Sequence, residues 1–394
     1  MGKGEEIKKY VYISGLALRE NNRGTAALGY GAISFLQEKG LLNNEQTIVE
    51  IRECGFKSFL KWIVKCLFGK DHEKEVINGQ TWRFRDIAYL RLEKILAKRF
   101  TCIWNYTFLK KIVDNTSLIA AINGGDGFSD IYGKEIFYKR LPGINFAMEN
   151  RLPLVILPQT IGPFKEGECL QTASKILKYA KHVYVRDECF VSELKEMGVE
   201  YEVTNDLSFY MKPESWDIEI DSQNAIGINV SGLAYDNNFH TLAGQFPHYQ
   251  ELMEKLVMLF QEKGKQVYLI SHSFNYNKPE QNNDDLSAAK SLYAKLSNKQ
   301  NVHLVDKDLI SPQVKYLISR MSFFVGTRMH ANFAAIFTKV PLFGLSYSYK
   351  FKGAFENNGI FNRTANIKNM KPEDVDLIVK AVKSAYCEDT EKNN

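Results

Sequence analysis

Short apolar runs alternate with amphipathic stretches along most of the chain. The runs SLIAAIN (117–123), PLVILPQ (153–159) and SFFVGT (322–327) have the length and residue types of buried strands. Stretches with helical periodicity follow two of these runs, at about 168–181 and at 329–337. Strands that alternate with helices in this way indicate parallel sheets in an α/β protein.

The same pattern predicts further elements on both sides of a polar break. Before the break we expect strands at 9–14 and 182–187 and helices at 26–36 and up to about residue 197. After the break the predicted strands are 225–232, 266–273, 301–305 and 340–346, and the predicted helices are 249–263, 286–297, 311–319 and the tail from residue 372.

The polar break at 212–224 divides the pattern into two parts. Its sequence, KPESWDIEIDSQN, contains Pro213 and lacks apolar periodicity. The chain has 394 residues, which is enough for two domains with separate cores. We therefore predict an N-terminal domain at 1–210 and a C-terminal domain at 211–394, with a binding cleft between two similar α/β halves.

Composition excludes several classes of protein. The chain is 45% hydrophobic and 25% charged, as is usual for a folded protein, and no apolar run approaches the length of a membrane-spanning helix. A net charge of +5 is too small to predict a nucleic-acid partner. The six cysteines show no metal-ligand spacing, so we expect reduced thiols, a cytoplasmic protein and no bound metal.

Positive charge is concentrated in one stretch, residues 56–111, which contains 13 Lys or Arg against 5 Asp or Glu. Its first part, FKSFLKWIVKCLFGK, places Lys57, Lys61 and Lys65 on one face of a helix whose other positions are mostly apolar. This pattern is typical of a helix in a membrane interface, and also of an amphipathic helix packed on its own domain. We describe the stretch as a basic amphipathic insertion in the N-terminal domain.

Polar residues that directly follow predicted strands are the candidates for chemistry, because open parallel sheets bind ligands at the carboxyl ends of their strands. The strand at 322–327 is followed by Arg328, Met329 and His330 at the start of a helix. A guanidinium and the amides of a helix N-terminus suit a carboxylate or phosphate, and His330 can donate a proton near neutral pH. The alternative is an arginine paired with a structural carboxylate and a histidine that caps the helix.

Arg186 follows a strand of the first half in the same way. Asp187 comes next, so a local ion pair is an alternative to ligand binding. Arginines from both domains that converged on one cleft would bind a small dianion or trianion. Asp206, after the short strand YEVT, is either a second acidic site residue or a helix N-cap.

The loop INGGDGFSD (122–130) carries two candidate carboxylates, Asp126 and Asp130. It matches neither a P-loop nor a dinucleotide-binding fingerprint. A carboxylate on such a loop can take a proton from a sugar hydroxyl, although aspartate beside glycine is commonly a turn former. Three more polar residues at strand ends complete the set of candidates, namely Gln159, His272 and Lys350.

Seven strings, taken in order, resemble the polysaccharide pyruvyl transferase family. They extend over most of the chain, from 22 to 353, and the most specific are the PQTIGPF, RDE and R-x-H strings. The seven are NRGTAAL (22–28), GGDGFSDIYG (124–133), LPQTIGPF (157–164), VYVRDE (183–188), NDLSF (205–209), GTRMHANFAAI (326–336) and VPLFGLSYSYKFKG (340–353). The sequence departs from the family pattern at Thr25, where an acidic residue is usual, and at Asp126, where a third glycine is usual.

The resemblance implies a fold like that of the GT-B glycosyltransferases, with two Rossmann-like domains facing each other across a cleft. It implies transfer of the enolpyruvyl unit of phosphoenolpyruvate onto two hydroxyls of a sugar, which yields a cyclic pyruvate ketal. By position, Arg186, Arg328 and His330 correspond to the residues that bind phosphoenolpyruvate, together with the backbone of Met329. Asp130, in preference to Asp126, corresponds to the base on the acceptor, and Asp206 to the second acidic position.

The implied partners are phosphoenolpyruvate as donor substrate, with no other cofactor, and a saccharide acceptor that is carried on a lipid. The basic stretch would then hold the enzyme on an anionic membrane surface at the cytoplasmic side. Two alternatives remain open from the residues. One is a nucleotide-sugar glycosyltransferase of the same fold, and the other is a non-catalytic scaffold of a polysaccharide pathway.

Overall fold

The computed structural model describes residues 9–347, 355–356, 358–360 and 362–392. Its strands are β1 (Tyr10–Ser14), β2 (Thr47–Cys54), β3 (His72–Ile77), β4 (Gln80–Leu90), β5 (Thr116–Ala121), β6 (Leu154–Gln159), β7 (His182–Val185), β8 (Glu202–Val203), β9 (Ala225–Asn229), β10 (Gln266–Ile270), β11 (Val302–Leu304), β12 (Phe323–Gly326), β13 (Leu342–Ser346) and β14 (Thr364–Asn366).

Its α-helices are α1 (Arg23–Glu38), α2 (Phe56–Leu67), α3 (Arg91–Arg99), α4 (Phe108–Asn115), α5 (Lys134–Lys139), α6 (Pro142–Asn150), α7 (Gly167–Tyr179), α8 (Val191–Glu196), α9 (Leu207–Tyr210), α10 (Gly232–Asp236), α11 (Tyr249–Glu262), α12 (Asp285–Lys295), α13 (Ser311–Ser319), α14 (Met329–Phe337) and α15 (Pro372–Lys392). Short 3-10 helices cover Thr101–Tyr106 and His240–Leu242.

The chain divides into two compact units. The first unit contains the residues up to Leu16 together with Ala32–Leu207, and the second contains Ala17–Gly31 together with the residues from Ser208 onward. The sequence predicts a single border after residue 210. In the structure the division falls after Leu207, and the segment Ala17–Gly31 from the N-terminal part belongs to the second unit.

The first unit is built on an eight-stranded sheet with the order β3-β4-β2-β1-β5-β6-β7-β8. All its neighbouring strands are parallel except the antiparallel pair β3 and β4. The strand order reverses between β1 and β5, and ligands of open α/β sheets bind at such a reversal point. The glycine-bearing loop at 122–130 follows β5 and therefore lies at this point.

The stretch 56–111 is not only an insertion on the surface of the first unit. Its β4 pairs in parallel with the whole of β2, from Thr47 beside Arg83 to Cys54 beside Leu90, and extends the central sheet. The sequence pattern misses β2, β3 and β4. Apolar and charged residues alternate in QTWRFRDIAYL only from Trp82 to Arg85, and the adjacent charges of Arg85 and Asp86 then interrupt the alternation, so the pattern does not mark this strand.

The second unit has a six-stranded sheet with the order β11-β10-β9-β12-β13-β14, and every pair in it is parallel. This is the strand order of a Rossmann fold, and its reversal point lies between β9 and β12. Helices α11, α12 and α15 contribute apolar side chains to a core beside these strands. The GTRMH string directly follows β12 and therefore lies at the reversal point.

The alternation of strands and helices that the sequence predicts is confirmed. The predicted strands and helices named above each correspond to an observed element, with ends that differ by a few residues. The elements that the pattern misses are short or partly polar, as in β14 and α10. No helix among the described residues has the length and apolar character needed to cross a membrane.

Candidate active site

The start of α14 carries the candidate residues of the second unit. Arg328 is the N-cap residue of α14, and Met329 and His330 are its first two helical residues. The side-chain oxygen of Asn229, at the end of β9, accepts hydrogen bonds from the backbone N–H of Arg328 at 2.8 Å and of Thr327 at 3.3 Å. The ends of β9 and β12 are thereby joined, and the helix start is fixed at the reversal point of the sheet.

The guanidinium of Arg328 is held by a buried carboxylate. This pairing is the structural alternative to ligand binding that its sequence context left open. Its Nη2 donates to Asp285 Oδ1 at 2.7 Å and to Asn283 Oδ1 at 2.8 Å, and its Nε donates to Asp285 Oδ1 at 3.1 Å. No residue in the described part of the chain accepts a hydrogen bond from Nη1. The ion pair therefore orients the arginine.

Asp285 organises this end of the second unit. It is fully buried and also accepts hydrogen bonds from the backbone N–H groups of Gly232, His272 and Ser273. Burial alone would lower the pKa of Arg328, but the charge of Asp285, the hydrogen bond to it and two neighbouring tyrosines together outweigh burial, so the pKa is raised. Arg328 is consequently a permanent cation. Sequence reasoning missed Asp285 because it follows Asp284, the N-cap of α12, and resembles an ordinary first-turn carboxylate.

The imidazole of His330 is half-buried against its own unit. A Cβ atom added to Gly24 would lie only 2.6 Å from His330 Nδ1, so glycine at this position lets α1 approach the ring. The ring of Phe333 meets it edge-on, with the ring centroids 5.5 Å apart. These contacts explain why the NRGTAAL string accompanies the GTRMH string.

His272 is buried close to the same group of charges. Burial lowers its pKa well below the ordinary value, and the charges of His330, Arg328 and Arg23 act in the same direction. Its imidazole is therefore neutral at neutral pH. Its backbone is held on both sides, because its N–H donates to Asp285 and its carbonyl accepts from the N–H of Arg23.

In the first unit, Arg186 lies in a buried network of charged and polar side chains. Its Nη1 donates to Asp206 Oδ2 at 2.8 Å, and its Nε donates to Thr160 Oγ1 at 3.0 Å and to Asp187 Oδ2 at 3.4 Å. Burial would lower the pKa of Arg186, but Asp206 and Asp187 outweigh it and raise the pKa. The predicted Arg186 and Asp206 are thus brought together, and the local pairing with Asp187 is present as well.

The two carboxylates of the glycine-bearing loop have different surroundings. Asp130 accepts three hydrogen bonds at 2.7–2.9 Å from the backbone N–H groups of Lys165 and Glu166, directly before α7. Asp126 accepts one from the hydroxyl of Tyr132 at 2.7 Å, and its charge helps to raise the pKa of Arg186. Asp130 therefore anchors a helix start, whereas Asp126 belongs to the electrostatic surroundings of Arg186.

Glycine is required in this loop for conformation and for space. Gly124 and Gly125 have φ values of 73° and 86°, which other residues rarely adopt. A Cβ atom on Gly127 would collide with the guanidinium of Arg140 and the carbonyl of Asn123. The glycines of this loop therefore fix a tight turn, and this turn positions Asp126.

The other predicted site residues have varied surroundings. Gln159 is fully buried, and its side-chain amide forms two hydrogen bonds with the backbone. Its Oε1 accepts from the N–H of Asn123, just after β5, at 2.9 Å, and its Nε2 donates to the carbonyl of Ala121, in β5, at 3.3 Å. This arrangement indicates a residue that positions the loop. Met329 packs partly against the core of its unit, and Lys350 lies outside the described residues.

No group of three His, Cys, Asp or Glu side chains suited to a metal ion occurs in the part of the chain that the structure describes. Tyr132, which contacts Asp126, was not predicted as a site residue, whereas Thr160, which contacts Arg186, directly follows a predicted strand and so stood at a candidate position. Tyr132 lies inside the matched GGDGFSDIYG string and Thr160 inside LPQTIGPF, so the strings carried a signal that spacing did not resolve.

Comparison with solved structures defines the class of fold. A protein assigned as UDP-N-acetylglucosamine 2-epimerase from Listeria monocytogenes matches at a TM-score of 0.53 and 11% identity, with 97% of this chain and 90% of that chain covered. The UDP-GlcNAc 2-epimerase from Methanocaldococcus jannaschii matches at 0.52 and 11%, with 95% and 92% covered. The protein thus has a GT-B-like α/β fold with two Rossmann-like units, as the sequence predicted.

Within this class, the chain belongs to the polysaccharide pyruvyl transferase family. The model of that family matches residues 22–349, which is nearly the whole chain. The family predicted from the seven strings is confirmed, and with it the prediction that the protein is an enzyme of the transferase class.

Proposed function

We propose that this pyruvyl transferase moves the enolpyruvyl unit of phosphoenolpyruvate onto two hydroxyls of one sugar in the precursor of a surface polysaccharide, such as a capsule. The products would be a pyruvate ketal on the sugar and phosphate. Membership of the family supports a pyruvyl transferase in general. Phosphoenolpyruvate, the ketal and the nature of the acceptor are what we add.

The observation that carries the donor assignment is the oriented cation at the start of α14. Arg328 Nε and Nη2 are engaged by Asp285 and Asn283, so Nη1 has a fixed direction. The amides at the N-terminus of α14 add a second group that favours anions. Phosphoenolpyruvate carries a carboxylate and a phosphate, which need two such partners at short separation.

In the proposed reaction one sugar hydroxyl adds to the carbon of phosphoenolpyruvate that carries the phosphate. The methylene carbon gains a proton, for which His330 is the proposed acid, and becomes the methyl group of the ketal. The C–O bond to phosphate breaks, and the second hydroxyl adds to the same carbon. The hydroxyls lose two protons, of which the methylene gains one and phosphate the other, so no cofactor besides the donor is proposed.

In the first unit we assign Asp126 to the acceptor and the pair Arg186–Asp206 to the donor. Asp126 replaces Asp130 as the proposed base, because both oxygens of Asp130 already accept backbone N–H groups. Arg186 is proposed as a second cation for the donor, held in place by Asp206. Met329 would contribute its backbone N–H, and His272 a neutral imidazole beside the charged groups.

The direct test combines the purified full chain with phosphoenolpyruvate and candidate saccharides, and measures both released phosphate and the mass of the acceptor. We expect equal amounts of phosphate and ketal. His330→Gln should lower turnover by roughly 100-fold or more, because a positioned acid contributes on that order. His248→Gln, in the same unit, is the matched control and should retain activity. Full activity of His330→Gln would remove the histidine from the mechanism.

A second measurement separates this function from that of a nucleotide-sugar glycosyltransferase on the same fold. Phosphoenolpyruvate should raise the melting temperature of the protein, because a ligand stabilises the state that binds it. Uridine diphosphate should have no comparable effect. Stabilisation by the nucleotide alone would favour the glycosyltransferase.

We further propose that the acceptor is lipid-linked and that the enzyme works as a peripheral protein on the inner face of the cytoplasmic membrane. The support is the excess of basic residues at 56–111 and the amphipathic α2 within it. The test is to measure turnover with saccharides of different lengths, each with and without the lipid. We expect the enzyme to prefer the lipid-linked form of each saccharide.

A further inference from the structure

Apolar side chains exposed on the protein surface are concentrated in the basic stretch. Of the twenty exposed large hydrophobic residues in the described part of the chain, twelve lie between residues 56 and 111. Single exposed apolar residues are normal on protein surfaces, whereas a cluster of this kind marks an interaction surface.

Helix α2 has one buried side and one exposed apolar side. Trp62 is buried, and its Nε1 donates to the carbonyl of Asp86 in β4 at 2.8 Å. The opposite side presents Phe56, Leu60 and Val64, at the i, i+4 and i+8 positions of one helical face. Leu67 and Phe68 continue this face and are 78% and 72% exposed.

Helix α3 adds a second exposed apolar side. Leu92, Ile95 and Leu96 are all exposed, and Phe100 follows directly after the helix. Both helices pack around the start of α4. The rings of Trp62 and Phe108 lie 5.8 Å apart, and Glu93 of α3 accepts the backbone N–H of Leu109 at 3.0 Å.

We call these exposed side chains the two-helix surface. It consists of Phe56, Leu60, Val64, Leu67, Phe68, Leu92, Ile95, Leu96 and Phe100.

Cations without an ion-pair partner lie on the same elements. Lys57 and Lys61 directly follow Phe56 and Leu60 in the sequence of α2. Neither lysine forms an ion pair with any described residue. Arg99, at the end of α3, lies over the ring of Phe100. In contrast, Lys65 and Lys94 are paired with Asp86 and Glu53. The charge available beside the two-helix surface is therefore positive.

We propose that the two-helix surface docks the first unit onto an anionic lipid bilayer. The apolar side chains insert at the level of the headgroups, and Lys57, Lys61 and Arg99 contact lipid phosphates, as in interfacial amphipathic helices. The biological use of this docking rests on the membrane association in the proposed function. The physical docking itself depends only on the surface.

Charge complementarity favours a bilayer over a second copy of the chain. A symmetric dimer through α2 would bring Lys57 and Lys61 of both copies together, and like charges in an interface oppose association. An anionic membrane offers the opposite charge together with an apolar layer. The combination of exposed phenylalanine and leucine with unpaired lysine matches both layers at once.

The test is co-sedimentation of the full chain with vesicles of phosphatidylcholine, with and without phosphatidylglycerol, at low and high salt. We expect binding only when phosphatidylglycerol is present, and weaker binding at high salt. The double variant Leu60→Asp/Ile95→Asp should lose binding, and Lys57→Glu/Lys61→Glu should weaken it by roughly tenfold or more. Leu377→Asp removes an equally exposed apolar residue of α15 and should bind like the unmodified chain.

Circular dichroism and melting temperature of each variant show whether it is folded, and all five changed residues are exposed on helices. Absence of binding to anionic vesicles at low salt would overturn the proposal. A dimer in sedimentation velocity that Leu60→Asp/Ile95→Asp dissociates would also overturn it, and would assign the surface to a second copy.

Failure of the docking and failure of the proposed chemistry are distinguishable in the same preparations. Docking is measured without donor or acceptor. Turnover is measured with phosphoenolpyruvate and a soluble saccharide, and Leu60→Asp/Ile95→Asp should keep it. Vesicle binding without turnover would contradict the proposed chemistry alone. Turnover without vesicle binding would contradict the docking and the proposed membrane association, and would leave the chemistry standing.

Discussion

At the scale of single residues, the partners of each candidate matter more than its residue type. Arg186 and Arg328 both lie beside buried carboxylates, which fix the direction of each guanidinium. Burying an ion pair is favourable only when its remaining hydrogen-bonding groups are also satisfied, and Asp285 meets this condition with three backbone N–H groups. Such arginines are oriented before any ligand arrives, which lowers the cost of binding an anion.

Asp126 and Asp130 should respond differently to the same substitution. Asp130→Asn should lower the free energy of unfolding by about 2 kcal/mol, because a charged acceptor of two backbone N–H groups, those of Lys165 and Glu166, is lost. Asp126→Asn should reduce turnover by roughly 100-fold or more. Urea denaturation and the phosphate-release assay measure the two effects. Loss of turnover in a stable Asp130→Asn protein would reverse our assignment of the base.

At the scale of elements, the site residues are held where strands end. Asn229 at the end of β9, His272 after β10 and Arg328 after β12 are linked through Asp285 at the start of α12. Four elements thus meet through one buried carboxylate. The buried imidazole of His272 is the group whose protonation this arrangement opposes most directly, since burial and neighbouring cations lower its pKa.

The lowered pKa of His272 predicts a dependence of stability on pH. Below about pH 6.5 the histidine of the unfolded chain binds a proton that the folded chain does not bind. The contribution of neutral His272 to the free energy of unfolding is therefore fully present above about pH 6.5. As the pH falls from there toward the folded-state pKa of His272, the free energy of unfolding decreases by up to about 1.4 kcal/mol per pH unit.

The measurement is the free energy of unfolding in urea across this range of pH, for the unmodified chain and for His272→Gln. The substituted chain should lose stability less steeply on acidification. His182→Gln changes an exposed imidazole at the start of β7 and is the matched control. Equal slopes for the unmodified and His272→Gln proteins would show that His272 does not carry the effect.

At the scale of the whole molecule, the second unit is built from two separated parts of the chain. Arg23, in Ala17–Gly31, donates from Nε to the carbonyl of Leu309 at 2.7 Å and from Nη2 to Asp308 at 3.0 Å. Its guanidinium also lies over the ring of Phe274. A segment early in the sequence therefore completes the unit that carries Arg328.

Arg23→Ala should consequently destabilise the protein although the residue is remote in sequence from the rest of its unit. We expect a loss of about 2–4 kcal/mol, since the substitution leaves buried acceptors without a donor and removes packing. Arg320→Ala, an exposed arginine at the end of α13, should change stability little. Chemical denaturation of both variants checks this, and equal stability would contradict the role of the early segment.

The sequence alone determined the class of fold, the family and the identity of most candidate residues. Strand runs and helical periodicity depend on residues that are close in sequence, so they can be recognised without the structure. The strings around Arg186, Arg328 and the glycine-bearing loop are also short and continuous, so they can be recognised in the same way. It could not resolve β4, because the adjacent charges of Arg85 and Asp86 interrupt the alternation of apolar and polar residues in this strand.

Only the tertiary structure decided which groups meet. Asp285, the anchoring role of Asp130, the membership of Ala17–Gly31 in the second unit and the exposed side of α2 all depend on contacts between residues distant in sequence. A periodic pattern shows that a helix has an apolar face, but only packing shows which part of that face the protein covers itself. The uncovered part of α2 lies in the stretch 56–111, where the excess positive charge is also found.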